Sequence, residues 1–247
     1  MSENLLNIEN LKAETVLGFG VELRVMPTYQ DDLVTIYNMD CLTVMPALRP
    51  LRDLAIIITD PPYGISADQR RGDTGRNKHI LQRDYHYGNW DSQRIDDVYF
   101  YMMKFVSREQ IIFGGNYYGD VLGGTKSWIV WDKENGDNYY ADCELAWTSF
   151  DRAVRKIKHK WHGFLQQNMK EKEYREHPTQ KPLPVMREIL ENYTTQADII
   201  LDPFMGSGTT LVAAKALGRK AIGIEIDPKY CEIAIKRMQA VQQRLTI

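Results

Sequence analysis

Two short segments of this 247-residue chain combine residue types and spacing that could do chemistry: Asp60-Pro61-Pro62-Tyr63 and Asp202-Pro203-Phe204-Met205-Gly206-Ser207-Gly208-Thr209. In the first, two prolines fix φ and carry no N–H. The Pro61 carbonyl is therefore expected to stand rigidly beside the Asp60 carboxylate, with no local donor competing for either. Two adjacent acceptors match an exocyclic NH₂, which offers two hydrogens, and the Tyr63 ring beyond them offers a face on which a base could stack. Asp60, Pro61, Pro62 and Tyr63 are thus candidate catalytic residues for chemistry at the amino group of adenine or cytosine. An Asp-Pro pair alone would read as a proline-stiffened turn; the full tetrad followed by Gly64 favours a site.

In the second segment, glycines let a backbone approach a ligand at a helix N-terminus, where free N–H groups are available. Glu225 follows at the end of the next strand, about 20 residues on, where nucleotide-binding folds place an acid for ribose hydroxyls. Together they point to a ligand carrying a nucleoside. A glycine turn that only eases helix packing is the plain alternative. A nicotinamide dinucleotide is the sharper one, but Thr210 and Leu211 follow Thr209 where its fingerprint requires a third glycine.

The elements that must position these groups are legible in part. Leu54–Thr59 is an apolar, β-branched run, the pattern of a strand covered on both faces, and it ends at Asp60. Short apolar runs at 111–113, 128–131 and 144–147 are predicted strands. The C-terminal third reads strand (199–201), turn, helix (211–217, closed by Gly218), strand (221–224), then a helix opened by Asp227-Pro228, a crossover unit. Residues 1–36 show no clear period and read as a lead-in packed on the main domain. The whole chain, 1–247, reads as one α/β domain.

Composition bounds the rest. At 43% hydrophobic and 26% charged residues the chain is ordinary for a globular protein, with no apolar run of membrane-span length and no secretory signal at Met1, so no membrane partner and a cytoplasmic location are expected. Cys41, Cys143 and Cys231 are too far apart for a zinc site, and no metal is expected. A net charge of −2 leaves polyanion binding to local clusters.

Asp60-Pro61-Pro62-Tyr63, then His177-Pro178-Thr179-Gln180-Lys181-Pro182, then Phe204-Met205-Gly206-Ser207-Gly208 make an ordered set that resembles the beta class of DNA amino-methyltransferases, over roughly residues 34–240. The resemblance implies a Rossmann-like methyltransferase fold: a mixed, mostly parallel seven-stranded sheet with helices on both faces, the acceptor half preceding the cofactor half. It implies S-adenosylmethionine as cofactor, with Asp202, Phe204, Gly206, Ser207, Gly208 and Thr209 around its methionine and ribose and Glu225 on the ribose. Asp40 and Cys41 would contact its adenine. His177, Thr179 and Lys181 would anchor its methionine carboxylate, and Asp60 would lie near the methionine end. The partner implied is double-stranded DNA, with room for a homodimer and for a place in restriction-modification. The stretch usually devoted to target recognition is short here.

Two polar stretches, 65–91 and 151–175, read as DNA-contacting insertions. The first carries Arg70, Arg71, Arg76 and Lys78, with Tyr85, Tyr87 and Trp90 nearby. The second holds eight basic residues against three acids, among them Arg152, Arg155, Lys156, Lys158 and Lys160. Basic residues suit phosphates and aromatics suit unstacked bases, although a charge run is often only a solvated face. The base would have to be flipped out of the duplex.

The reaction expected is in-line methyl transfer to N6 of adenine, with Asp60 and the Pro61 carbonyl stabilising the developing charge. N4 of cytosine is the nearest rival; the family tends to place Asp before Pro-Pro-Tyr for adenine and Ser for cytosine. RNA or protein-glutamine methylation and a catalytically dead DNA-binding relative are more distant. C5-cytosine methylation is disfavoured, because no cysteine has the Pro-Cys setting that chemistry uses.

Overall fold

A computed structural model describes residues 25–65, 91–136, 141–162, 165–167, 173, 176–177 and 179–245. In chain order the elements are β1 (Tyr29–Gln30), β2 (Val34–Asn38), α1 (Cys41–Val44), β3 (Ala55–Thr59), α2 (Asp97–Val106), β4 (Glu109–Phe113), α3 (Gly119–Leu122), β5 (Trp128–Asp132), β6 (Cys143–Thr148), β7 (Arg155–Lys158), β8 (Trp161–His162), β9 (Leu165–Gln166), α4 (Leu183–Tyr193), β10 (Ile199–Asp202), α5 (Thr209–Ala216), β11 (Lys220–Glu225) and α6 (Pro228–Leu245).

The sheet follows from strands that are apolar on both faces. In β3, Ile56 and Ile58 point into one core and Ile57 into the other, as the period of two demands. The first core is closed by α4, α5 and α6 through Val185, Ile189, Leu211, Ala234 and Met238. The second is closed by Val44, Leu48, Phe100 and Met103 from α1, the 3₁₀ segment Met45–Leu51 and α2. Each fully buried isoleucine contributes about 1.5–3 kcal/mol, so a strand with no polar face is held at the centre of a helix–sheet–helix sandwich.

Among the described residues the strand order is β1-β2-β11-β10-β3-β4-β6-β5-β7, nine strands where seven were expected. The seven from β2 to β5 form the expected body: β2, β11, β10, β3 and β4 are parallel, and β6 enters antiparallel to both β4 and β5. The two additional strands are edges. Asp31 accepts hydrogen bonds from the Leu33 and Val34 N–H groups (2.9 and 2.8 Å), which turns the chain so that β1 pairs back on β2. Asp31 also holds the buried Lys215 at 2.5 Å. Within the stretch read as a lead-in, Tyr29–Gln30 and the start of β2 from Val34 therefore belong to the sheet, while residues 1–24 lie outside the described residues.

At the other edge β7 pairs in parallel with β5, with Ile157 in the core and its neighbours exposed. Part of the stretch read as an insertion is thus sheet. The parallel strands deliver Asn38, Thr59, Asp202 and Glu225 to one carboxyl edge, where β3 meets β10 across a long gap in sequence. Open α/β sheets bind ligands at such a switch in strand order.

Candidate active site

At the end of β3 the Asp60 carboxylate is engaged on both oxygens. The Tyr63 hydroxyl donates to Oδ1 and the Lys181 ammonium to Oδ2. The expectation that no local donor competes for Asp60 is corrected here: prolines remove backbone donors, but the tetrad's own tyrosine supplies one. Lys181 is 9% exposed, and it also lies 3.3 Å from Glu144, whose other oxygen is held by Lys133 at 2.6 Å. Burial pushes the Asp60 carboxyl up, with Lys181 opposing and Glu144 adding to the rise. Burial would lower Lys181, but its two carboxylate partners outweigh that and hold it above its ordinary value.

The loop itself is braced from several sides. Asp91, 1% exposed, accepts hydrogen bonds from the Tyr63 and Gly64 N–H groups at 2.6 and 2.9 Å. Tyr118 donates its hydroxyl to the Pro62 carbonyl. The Tyr63 ring stacks on Tyr117, centroids 4.9 Å apart and planes within 17°. One ring face offered to a base by the sequence is thus taken by a neighbouring side chain. Gly114, at φ +65°, stands so close to the Tyr63 ring that a Cβ there would overlap it.

Next to this centre lies a cavity of about 460 Å³. Glu225 accepts hydrogen bonds from Gly206 N–H (2.9 Å) and Asp227 N–H (2.8 Å), which ties the end of β11 to the turn after β10. Burial pushes its carboxyl up to about 7, with the two N–H groups opposing. Asp202 accepts from the Thr59 hydroxyl at 2.7 Å, joining β10 to β3, and burial raises it to about 6. Asp40 caps α1 by accepting from Leu42 N–H at 2.8 Å. His177 packs on Tyr230 at 4.2 Å; burial and Lys181 lower it to about 4, so its ring is neutral at pH 7.

The sequence-predicted residues divide clearly. Asp40, Cys41, Asp60, Pro62, His177, Thr179, Lys181, Asp202, Phe204, Gly206, Ser207, Thr209 and Glu225 all line the cavity. Pro61, Tyr63 and Gly208 do not. Gly208 instead opens α5 at φ +77°, where a Cβ would meet Ala234 Cβ of α6 at 3.0 Å, so the glycine serves helix packing. Lys181, expected on a cofactor carboxylate, is turned to Asp60 and Glu144.

Sequence reasoning passed over Tyr99, Phe113, Gln180 and Tyr230 in the lining. It also passed over Arg237, which donates to the Ser207 carbonyl (2.7 Å), the Ser207 hydroxyl (3.0 Å) and the Thr209 hydroxyl (3.1 Å). Only the position of Arg237 on the helix that follows the acid could have signalled it.

Of the candidate DNA contacts, Arg155, Lys156, Lys158 and Lys160 are exposed on or just after β7, with Lys156 3.5 Å from Asp132. Arg152 departs from the expectation. It donates to the Asn192 carbonyl at 2.6 Å and lies over the Tyr193 and Phe150 rings, a tether to α4. Arg70, Arg71, Arg76 and Lys78 lie outside the described residues. Among the described residues no helix is long and apolar enough to cross a membrane, and no cluster of His, Cys, Asp and Glu could hold a metal ion.

Comparison with known proteins adds an independent line. Residues 125–236 match the family model described as DNA methylase, a span that includes the His177–Lys181 and Phe204–Gly208 motifs and excludes Asp60–Tyr63. The chain is 27% identical over 260 residues to the Type II methyltransferase M2.DpnII of Streptococcus pneumoniae, covering 90% of this chain and 96% of that one. The structure of an M1.HpyAVI–SAM complex is similar with a TM-score of 0.55 at 25% identity, over 83% of this chain and 100% of that one. The PvuII DNA methyltransferase, described as cytosine-N4-specific, shares the fold with a TM-score of 0.54 at 17% identity, over 85% of this chain and 88% of that one.

Proposed function

We propose that this chain, a relative of the DNA amino-methyltransferases by its domain match and its full-length relatives, methylates N6 of adenine in double-stranded DNA with S-adenosylmethionine as donor. One observation carries the reading: Asp60, set in its Pro-Pro-Tyr frame, and Glu225, the acid suited to a ribose, open into the same cavity.

The lining fits the cofactor. Glu225 is partly buried, and its carboxylate keeps lone pairs for ribose hydroxyls beyond the two backbone N–H groups it already accepts. Asp40 and Cys41 would flank the adenine, and Phe204, Gly206, Ser207 and Thr209 the methionine and ribose. Lys181 is held by Asp60 and Glu144, and Thr179 and neutral His177, which lie against each other in the lining, would flank the methionine carboxylate. S-adenosylmethionine supplies an activated methyl group on its sulfonium sulfur.

Asp60 accepts a hydrogen bond from the target amine and stabilises the positive charge that develops on its nitrogen. Tyr63 and Lys181 hold Asp60 in one orientation, so little reorganisation is needed as that charge grows. The base reaches Asp60 by leaving the duplex, as methyltransferases in general require. The exposed strand Arg155–Lys158 and the stretch 65–91 would take the backbone, in the cytoplasm where such DNA lies. The acid before Pro-Pro-Tyr favours adenine over cytosine.

The test is modified-base sequencing of DNA from cells expressing the protein. N6-methyladenine in a defined context is expected. N4-methylcytosine would transfer the reading to cytosine, and unmodified DNA would reject it.

A further inference from the structure

Asp60 faces a problem that the tetrad alone does not solve. It must accept a hydrogen bond from the target amine, yet a buried ammonium, Lys181, holds its Oδ2. An undivided Lys181–Asp60 pair in a water-poor site would draw the carboxylate's electron density toward the ammonium.

The ammonium is not undivided. Glu144, on β6 and so one strand beyond β4 from Asp60, takes Lys181 from the other side at 3.3 Å, and Lys133, just past the end of β5, holds the second Glu144 oxygen at 2.6 Å. The charges alternate from Asp60 outward: acid, base, acid, base. Lys133 is anchored in turn over the Trp131 ring, 5.1 Å from its centroid, and Lys181 lies 5.1 Å from the centroid of Phe113.

We propose that Glu144 is a positioning residue for the reaction, sharing the Lys181 ammonium with Asp60 so that Asp60 keeps acceptor capacity for the target amine. Lys133 tunes the sharing by neutralising part of the Glu144 charge. Glu144 does not line the cavity, so it acts on the reacting centre through Lys181 and through its charge near Asp60. Among the described residues, the titratable groups that face this centre are Lys181, Lys133, Tyr63, Tyr118 and His177, with Asp202 beyond Asp60. The inference rests on the proposed methyl transfer at Asp60.

Two single substitutions give opposite signs. Glu144→Gln removes a negative charge near Asp60, so Asp60 ionises at lower pH and Lys181 turns wholly to it. The acid limb of the pH–kcat profile should move down by roughly one pH unit, and kcat should fall about tenfold as acceptor strength is lost. Lys133→Gln leaves Glu144 with more negative charge, so the acid limb should move up. KM for mixed-sequence duplex DNA and Kd for S-adenosylmethionine should stay within about twofold in both variants.

Opposed displacements of the limb support the inference. Equal losses of kcat with an unmoved limb, or a change confined to KM, would overturn it and make the network structural. Should Glu144→Gln not fold, Lys133→Gln decides alone by the direction of its limb. A parent protein that transfers no methyl group overturns the underlying reading and this one with it, whereas an active parent with unmoved limbs overturns this one only.

Discussion

The parent protein should bind its cofactor with a pH dependence that replacing Glu225 with Gln removes. In the ligand-free protein burial raises the Glu225 carboxyl to about 7, so at pH 6 about a tenth of the molecules carry the carboxylate and at pH 8 about nine-tenths do. A ribose hydroxyl donates to the carboxylate, so the apparent Kd scales inversely with the ionised fraction, and S-adenosylmethionine should bind about tenfold more tightly at pH 8 than at pH 6. The ligand's own titration is common to both proteins, so the difference between them isolates Glu225.

Glu225→Gln should bind more weakly at pH 8 by about 1.5–3 kcal/mol, the worth of charge-assisted hydrogen bonds, and should lose the tenfold dependence. The sign for folding is the reverse. The folded chain keeps this proton up to about pH 7 while an unfolded glutamate loses it near 4.5, so ligand-free stability should fall as pH rises between those values and level off above. Calorimetry at pH 6, 7 and 8 measures the binding and thermal unfolding the stability. Parallel pH curves for parent and Glu225→Gln would refute the assignment of Glu225 to the ribose.

Other substitutions probe the frame. Gly114→Ala places a Cβ against the Tyr63 ring at a left-handed backbone position, and the displaced tetrad should cost about 10²-fold in kcat with cofactor Kd little changed. Cofactor affinity falling in step with kcat would contradict it. Gly208→Ala, at φ +77° and against Ala234, should lower stability by about 1–2 kcal/mol, read as a fall in Tm; an unchanged Tm would contradict its packing role. Replacing Arg155, Lys156 and Lys158 together should flatten the salt dependence of duplex binding by about 0.9 in log–log slope for each phosphate left unneutralised, and an unaltered slope would make β7 a bare solvated edge.

The parts of this protein legible in its sequence are those where local pattern and tertiary demand agree. The β-branched run before Asp60 has the pattern of a strand covered on both faces, and Ile199 to Glu225 spells strand, turn, helix, strand and acid in unbroken order. The edges were not legible: β1 exists because Asp31 turns the chain, and β7 because Ile157 finds a core beside exposed lysines.

Side-chain partnerships were the least visible. Lys181 lies 121 residues from Asp60 in sequence, and no spacing rule connects it to Glu144 or Lys133. The Gly208 case shows the opposite hazard, a motif glycine whose position suggested ligand approach and whose neighbour is a helix. Both were hidden because packing between distant elements decides them.

The central claim, that Asp60 activates an exocyclic amine for methylation, is tested most directly by labelled methyl transfer from S-adenosylmethionine to mixed-sequence duplex DNA, comparing the parent with Asp60→Ala and digesting the product to nucleosides. The account predicts N6-methyladenine from the parent and turnover at least about 10²-fold lower from Asp60→Ala, the scale of losing one preorganised partner at a reacting centre. Near-parental turnover by Asp60→Ala would contradict it.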